Sequence, residues 1–108
     1  MKVLFLDDNP NRIELARENF KDDDLTVVET AQLAVYALEM SRGWDLVMLD
    51  HDLGGELTGM YVVDHIAKTK PDIKRIVVHS WNPVSSYMVD KLCRAGYRAE
   101  WKRFQIMQ

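Results

Sequence analysis

Val3-Leu4-Phe5-Leu6 and Leu46-Val47-Met48-Leu49 each run apolar for four residues without interruption, and each run then meets acid. Asp7-Asp8 follows the first, and Asp50-His51-Asp52 follows the second. A strand with one wet face alternates apolar and polar residues, whereas a strand covered on both faces reads as a continuous apolar run. Such strands belong to parallel sheets with helices on either side, so an α/β fold is expected. In these sheets the ligand crevice lies outside the carboxyl ends of the strands, where the acids fall. Two carboxylates about 4 Å apart repel by roughly 4 kcal/mol at an effective dielectric near 20, and a divalent cation is the simplest remedy.

The remaining segments fit the same scheme. After Val3 to Leu6, Asn9-Pro10 supplies a cap and a first-turn proline for a helix with Ile13, Ala16 and Phe20 on its inner face. The polar turn Lys21 to Asp24 leads into a second strand, Leu25 to Glu29. Thr30 then caps a helix whose inner stripe is read as Leu33, Ala37 and Met40. Gly43-Trp44 precedes the third strand, Asp45 to Asp50, and the two glycines in the segment from His51 to Glu56 make it a loop. Val62, Val63, Ile66 and Ala67 mark a third helix, ended by Pro71. Ile73 to Val78 is the fourth strand. Asn82 is expected to cap, and Pro83 to open, a fourth helix with Val84, Met88 and Leu92 inward and Gly96 as its stop. Tyr97 to Trp101 is read as a fifth strand, and Lys102 to Gln108 leaves room for one or two helical turns. Strands alternating with helices imply a doubly wound parallel sheet with right-handed crossovers.

With 108 residues, 47% of them apolar, the chain matches one compact domain, 1–108, able to bury roughly two-thirds of its unfolded surface. The single Cys93 has no internal partner and lies in an apolar helical pattern, which reads as a buried thiol in a cytoplasmic protein. No secretory signal and no membrane-spanning run is expected. A net charge of −3 gives no footprint for duplex nucleic acid, and Lys68, Lys70, Lys74 and Arg75 read as a solvated helix end and loop.

The carboxyl ends of strands one, three and four lie together in a doubly wound sheet, so Asp7, Asp8, Asp50 and the His79-Ser80 pair should converge. Magnesium suits such a site: it takes one or two carboxylates, keeps several waters and leaves a position for a phosphoryl oxygen.

Over nearly its whole length the chain resembles the receiver domain of two-component response regulators. Leu6-Asp7-Asp8 is similar to that family's magnesium-holding acidic pair, and Val47-Met48-Leu49-Asp50 to the strand ending in its phosphoacceptor aspartate. Thr58-Gly59 falls near the usual Asp-Gly, and Ser80 matches the hydroxyl residue of strand four. Trp101-Lys102-Arg103-Phe104 resembles the segment carrying the phosphate-binding lysine. The resemblance implies a five-stranded, flavodoxin-like receiver fold. Arg103 stands where a proline is customary, Trp81 where a small residue is, and the last helix is truncated or missing. His51-Asp52-Leu53-Gly54-Gly55 and His79-Ser80-Trp81-Asn82-Pro83 resemble the cyclic-phosphate processing receiver group, which implies metal-dependent opening of cyclic phosphates on nucleotides.

That chemistry requires a polarised phosphoryl oxygen, an activated water and a proton for the departing alkoxide. Mg2+ (or Mn2+) on Asp7, Asp8 and Asp50 would serve the first two. His79 could carry the proton, with His51 as its rival, while Ser80, Asn82 and Lys102 hold phosphoryl oxygens. Asp52 either ligates the metal or orients a histidine. Trp81 either stacks on a base or shields the crevice, and His65 reads as structural. The expected partner is a nucleotide or other cyclic phosphate. The alternative is a single-domain response regulator that receives a phosphoryl group on Asp50 from a histidine kinase. With its last helix short, one sheet face would carry only the helix near Ile13 to Phe20 and the Phe104-Ile106-Met107 segment. An apolar patch that pairs subunits as a homodimer is expected there.

Overall fold

The computed structural model describes residues 1–103. Five parallel strands, β1 (Lys2–Leu6), β2 (Asp24–Val28), β3 (Leu46–Leu49), β4 (Ile76–Val78) and β5 (Ala99–Trp101), lie in the order β2-β1-β3-β4-β5. They alternate with α1 (Pro10–Asn19), α2 (Ala31–Met40), α3 (Gly59–Thr69) and α4 (Ser85–Arg94). Among the described residues no helix follows β5, and no helix is long and apolar enough to cross a membrane.

The continuous apolar runs divide by parity, because successive side chains of a strand point to opposite faces. Leu4, Leu6, Val47, Leu49, Ile76 and Val78 form one core with the buried residues of α2, α3 and α4. Val3, Phe5, Leu46, Met48 and Val77 form the other with Ala16 and Phe20. Each such side chain contributes about 1.5–3 kcal/mol by leaving water. On the α1 side, where an apolar patch is expected, Val3, Phe5, Leu46, Met48 and Val77 are buried, while Leu25 and Val27 of β2 are partly exposed. Phe104, Ile106 and Met107, on which that expectation also drew, lie outside the described residues.

Hydrogen bonding carries the register one residue past the strands. Asp7 N donates to Val28 O, Asp50 N to Leu6 O, His79 N to Leu49 O and Lys102 N to Val78 O, at 3.0–3.1 Å. Asp7, Asp50, His79 and Lys102 therefore stand level at the carboxyl end of the sheet.

Several expected boundaries shift for identifiable reasons. The inner face of α2 is Ala31, Ala34 and Leu38, while Leu33 and Met40 face solvent. Small alanines let the helix approach the sheet closely, so the larger apolar residues misled the reading of its stripe. Ile73 only bridges Trp44, and the chain bends at Lys74 before β4 begins at Ile76. Tyr97 stays outside β5, because its N–H closes the end of α4 on Leu92 O and its hydroxyl donates to Pro71 O at 2.5 Å. Helix α4 begins at Ser85 with Val84 as its N-cap; Asn82 Oδ1 instead accepts from Val84 N at 3.0 Å and turns the chain before the helix. Cys93 is exposed on α4, so the expected buried thiol is corrected.

Gly59, the first residue of α3, packs on the end of β3. A Cβ there would lie 1.9 Å from Asp50 O, against backbone that cannot yield cheaply. Gly59→Ala is expected to destabilise the fold by about 2 kcal/mol or more. In a domain of this size that lowers the thermal midpoint by roughly 10 °C, measurable by calorimetry; an unchanged midpoint would show that α3 moves away freely.

Candidate functional site

The acidic pair after β1 is unequal. Asp7 is fully buried and Asp8 half-buried, as alternation at a strand end requires. Asp7 is held from three sides. Arg12 donates through Nε to Oδ2 at 2.6 Å and through Nη2 to Oδ1 at 3.0 Å, Asn9 N donates to Oδ1 at 2.9 Å, and His79 Nε2 lies 3.0 Å from Oδ2. Burial is the strongest single influence on this carboxyl and pushes its pKa up, but His79, Arg12 and Asn9 together bring it down to about 2.

Asp50 has fewer partners. His51 N donates to its Oδ1 at 2.9 Å, whereas Oδ2 is buried without a hydrogen bond, with Arg12 Nη2 at 3.5 Å. Burial first, and then the neighbouring Asp7, raise its pKa against the opposing pull of His79, His51 N and Arg12. His79 is wholly shielded from solvent and stacks on Phe5 with centroids 5.1 Å apart and planes 5° from parallel.

A second polar group stands at the mouth of the crevice. His51 Nδ1 lies 2.9 Å from Asp52 Oδ1, and Asn82 Nδ2 donates to the same oxygen at 3.2 Å. Asn82 Nδ2 is also 3.3 Å from His51 Nδ1. Both donors converge on the carboxylate, and the His51 bond is the leading cause that lowers the Asp52 pKa. The Asp52 carboxylate, expected either to ligate the metal or to orient a histidine, meets His51 and Asn82 here. Ser80 is buried, its Oγ accepts from Asn82 N at 3.1 Å, and the Lys102 side chain is exposed beyond β5.

The donor set fits a hard divalent cation. Ligand atoms of Asp7, Asp50 and His79 lie within 4.8 Å of one another, Asp8 follows Asp7 in the chain, and Asp50 Oδ2 is a buried acceptor that lacks a hydrogen bond.

Residues 2–95 match the family model described as the cyclic-phosphate processing receiver domain. The chain belongs to this family. No curated protein matches it. Among solved structures it is similar to the response regulator TrrA from Thermotoga maritima in complex with Mg2+-BeF, with 26% identity, a TM-score of 0.70, and coverage of 97% of this chain and 90% of that one. It also resembles a response regulator from Colwellia psychrerythraea, with 14% identity, a TM-score of 0.73 and coverage of 97% and 86%. A CheY-like receiver domain from Methylobacillus flagellatus gives 20% identity, a TM-score of 0.70 and coverage of 98% and 89%. The last two likenesses concern the fold.

Arg12 is the site residue that sequence reasoning missed in this receiver. With Asn9 as cap and Pro10 first, it falls in the opening turn of α1, whose side chains tilt back toward the helix start and so toward Asp7. A signal was present, because a cation in a first turn opposes the macrodipole and calls for a nearby anion. Arg12 already supplies positive charge to both buried carboxylates, so a metal ion would compete with it. Arg12→Ala is expected to lower metal-free stability by about 2 kcal/mol, less than the roughly 3–5 of a fully buried pair because the guanidinium is partly exposed. Saturating magnesium should then raise the melting temperature more in this variant than in the parent, and a smaller rise would show that Arg12 does not compete.

The two buried acids have opposite linkage to pH. Asp7, depressed to about 2 from the ordinary carboxylate value of 3.8, stabilises the fold fully above the unfolded pKa and loses that contribution as pH falls toward 2. The shift corresponds to about 2 kcal/mol. Asp50, raised by burial, costs stability above its folded pKa and is relieved on protonation. Asp50→Asn is therefore expected to be more stable than the parent at pH 7 in chelator, with the gap closing toward pH 4 in urea titrations. A gap that widened on acidification would reverse the sign.

Proposed function

We propose that this receiver is a metal-dependent phosphoesterase that opens cyclic phosphates of nucleotides at the crevice of Asp7, Asp8 and Asp50. The observation that carries the reading is the His51–Asp52–Asn82 group, which borders Asp50 and which simple phosphoacceptor chemistry does not require. Asp7, Asp8 and Asp50 would hold Mg2+ or Mn2+, which supplies the charge that polarises a phosphoryl oxygen and acidifies water. The chain's own residues would do the rest. Asp52 accepts from His51 Nδ1, which leaves Nε2 as the nitrogen able to give a proton. As water adds to phosphorus and one ring P–O bond breaks, the Nε2 proton of the imidazolium neutralises the departing alkoxide and leaves a neutral imidazole, and the proton lost by water restores the imidazolium. Ser80, Asn82 and Lys102 stand on the segments after β4 and β5 that would face phosphoryl oxygens. We infer that this activity would be exercised in the cytoplasm.

A second reading has its own support. Asp50 ends β3 with a buried oxygen lacking a hydrogen bond, and Ser80 and Lys102 follow the next two strands, an arrangement suited to accepting a phosphoryl group from a histidine kinase. Incubation of the chain and its Asp50→Asn variant with a nucleoside 2′,3′-cyclic phosphate, and separately with acetyl phosphate, distinguishes the two. Multiple turnover of the cyclic phosphate that chelator abolishes is expected. Stoichiometric modification by acetyl phosphate, lost in Asp50→Asn and without cyclic-phosphate turnover, would replace hydrolysis by signalling.

A further inference from the structure

Trp81 and Trp101 remain 64% and 45% exposed, whereas Trp44 is 2% exposed in the core. Their rings meet edge to face, with centroids 5.9 Å apart and planes at 71°. Trp101 is fixed, because its Nε1–H donates to Ser80 O at 2.6 Å, and Ser85 Oγ donates to the same carbonyl at 2.9 Å. The two indoles, with Ser80, Asn82, Pro83 and Ser86, line a cavity of about 320 Å³. That volume is at the small end of the roughly 300–1,000 Å³ typical of small-molecule pockets.

The cavity adjoins the crevice through Asn82. Asn82 belongs to both, since its side-chain amide reaches Asp52 and His51, and His51 N in turn bonds Asp50. Trp81 lies between Ser80 and Asn82 in sequence, so its indole departs from the same short segment that frames the polar mouth. The Arg103 guanidinium sits 4.6 Å above the Trp81 ring centre, a position from which a planar cation can pair with a π system.

We propose that Trp81 and Trp101 form a subsite for the heterocyclic base of a nucleotide whose phosphate lies at the acidic crevice. This assignment rests on the phosphoester reading for the location of the phosphate and adds the chemistry of the other end of the substrate. Flat exposed indoles bind bases through stacking, which tolerates any base, while the Asn82 amide, the Ser86 hydroxyl and Arg103 offer polar contacts at the rim. A purely anionic ligand would make no use of two exposed indoles.

Binding of adenosine 5′-monophosphate and of ribose 5-phosphate to the full chain with magnesium, followed by calorimetry, separates base from phosphate without any turnover. The nucleotide is expected to bind at least about tenfold more tightly, in keeping with stacking on one aromatic residue. Trp81→Ala should abolish that preference and Trp81→Phe should keep most of it, with thermal melts confirming that both variants fold. Equal affinities for the two ligands in the parent chain would overturn the subsite, as would a preference that survives the Trp81→Ala, Trp101→Ala double variant. Loss of self-association in Trp81→Ala, together with equal affinities, would assign the surface to a second copy and likewise overturn it. A base preference with no opening of cyclic phosphates would sink the esterase reading and leave the subsite standing. Opening of base-free and base-bearing cyclic phosphates at equal efficiency would do the reverse.

Discussion

The carboxylate of Asp7 is the fastening on which this end of the molecule depends. A fully buried anion is tolerable only when charged and polar donors replace the water it has lost. Here they come from separate elements: Asn9 and Arg12 from the start of α1, and His79 from the end of β4. One side chain thus ties the helix on one face of the sheet to strands one and four. Arg12 reaches onward to Asp50, so the same fastening sets the charge around the residue on which both functional readings turn.

Backbone constraints act alongside that electrostatic one. The ladder continues one residue past β1, β3, β4 and β5, and this levels the side chains that follow. Gly59 lets α3 press against the Asp50 carbonyl, and its N–H donates to His51 O at 2.9 Å. The loop from His51 to Thr58 is thereby clamped at both ends. A histidine whose backbone is held on either side, and whose ring meets Asp52, loses little further freedom when a ligand arrives.

How legible all this was in the sequence depended on how local the determinant is. Continuous runs such as Val3 to Leu6 specify a doubly covered strand from within four residues, so the sheet and its order of elements followed directly. The convergence of Asp7, Asp50 and His79 followed from topology, because parallel strands bring their carboxyl ends together. The face of α2 did not follow. Leu33 and Met40 outrank Ala31 and Ala34 in hydrophobicity, yet the distance between helix and sheet, which no single segment encodes, decides which stripe turns inward. Arg12 escaped for a similar reason: its role needs the depth of Asp7, and depth is a property of the assembled sheet.

The separation of the two histidines bears most on the chemistry. In sequence His79 was the first candidate for moving a proton and His51 its rival, each standing just after a strand. Folding makes them different. His79 is enclosed, stacked on Phe5 and turned to Asp7, so a proton leaving its ring toward a ligand would have to pass a carboxylate already bound by Arg12. His51 retains partial exposure, and its acidic partner lies on the solvent side. Proton transfer to a departing oxygen needs a short, open path, whereas setting the charge and orientation of a buried carboxylate needs enclosure. The geometry therefore favours His51 for the first task and His79 for the second, dividing the crevice into a buried half that holds charge and an open half that can exchange it.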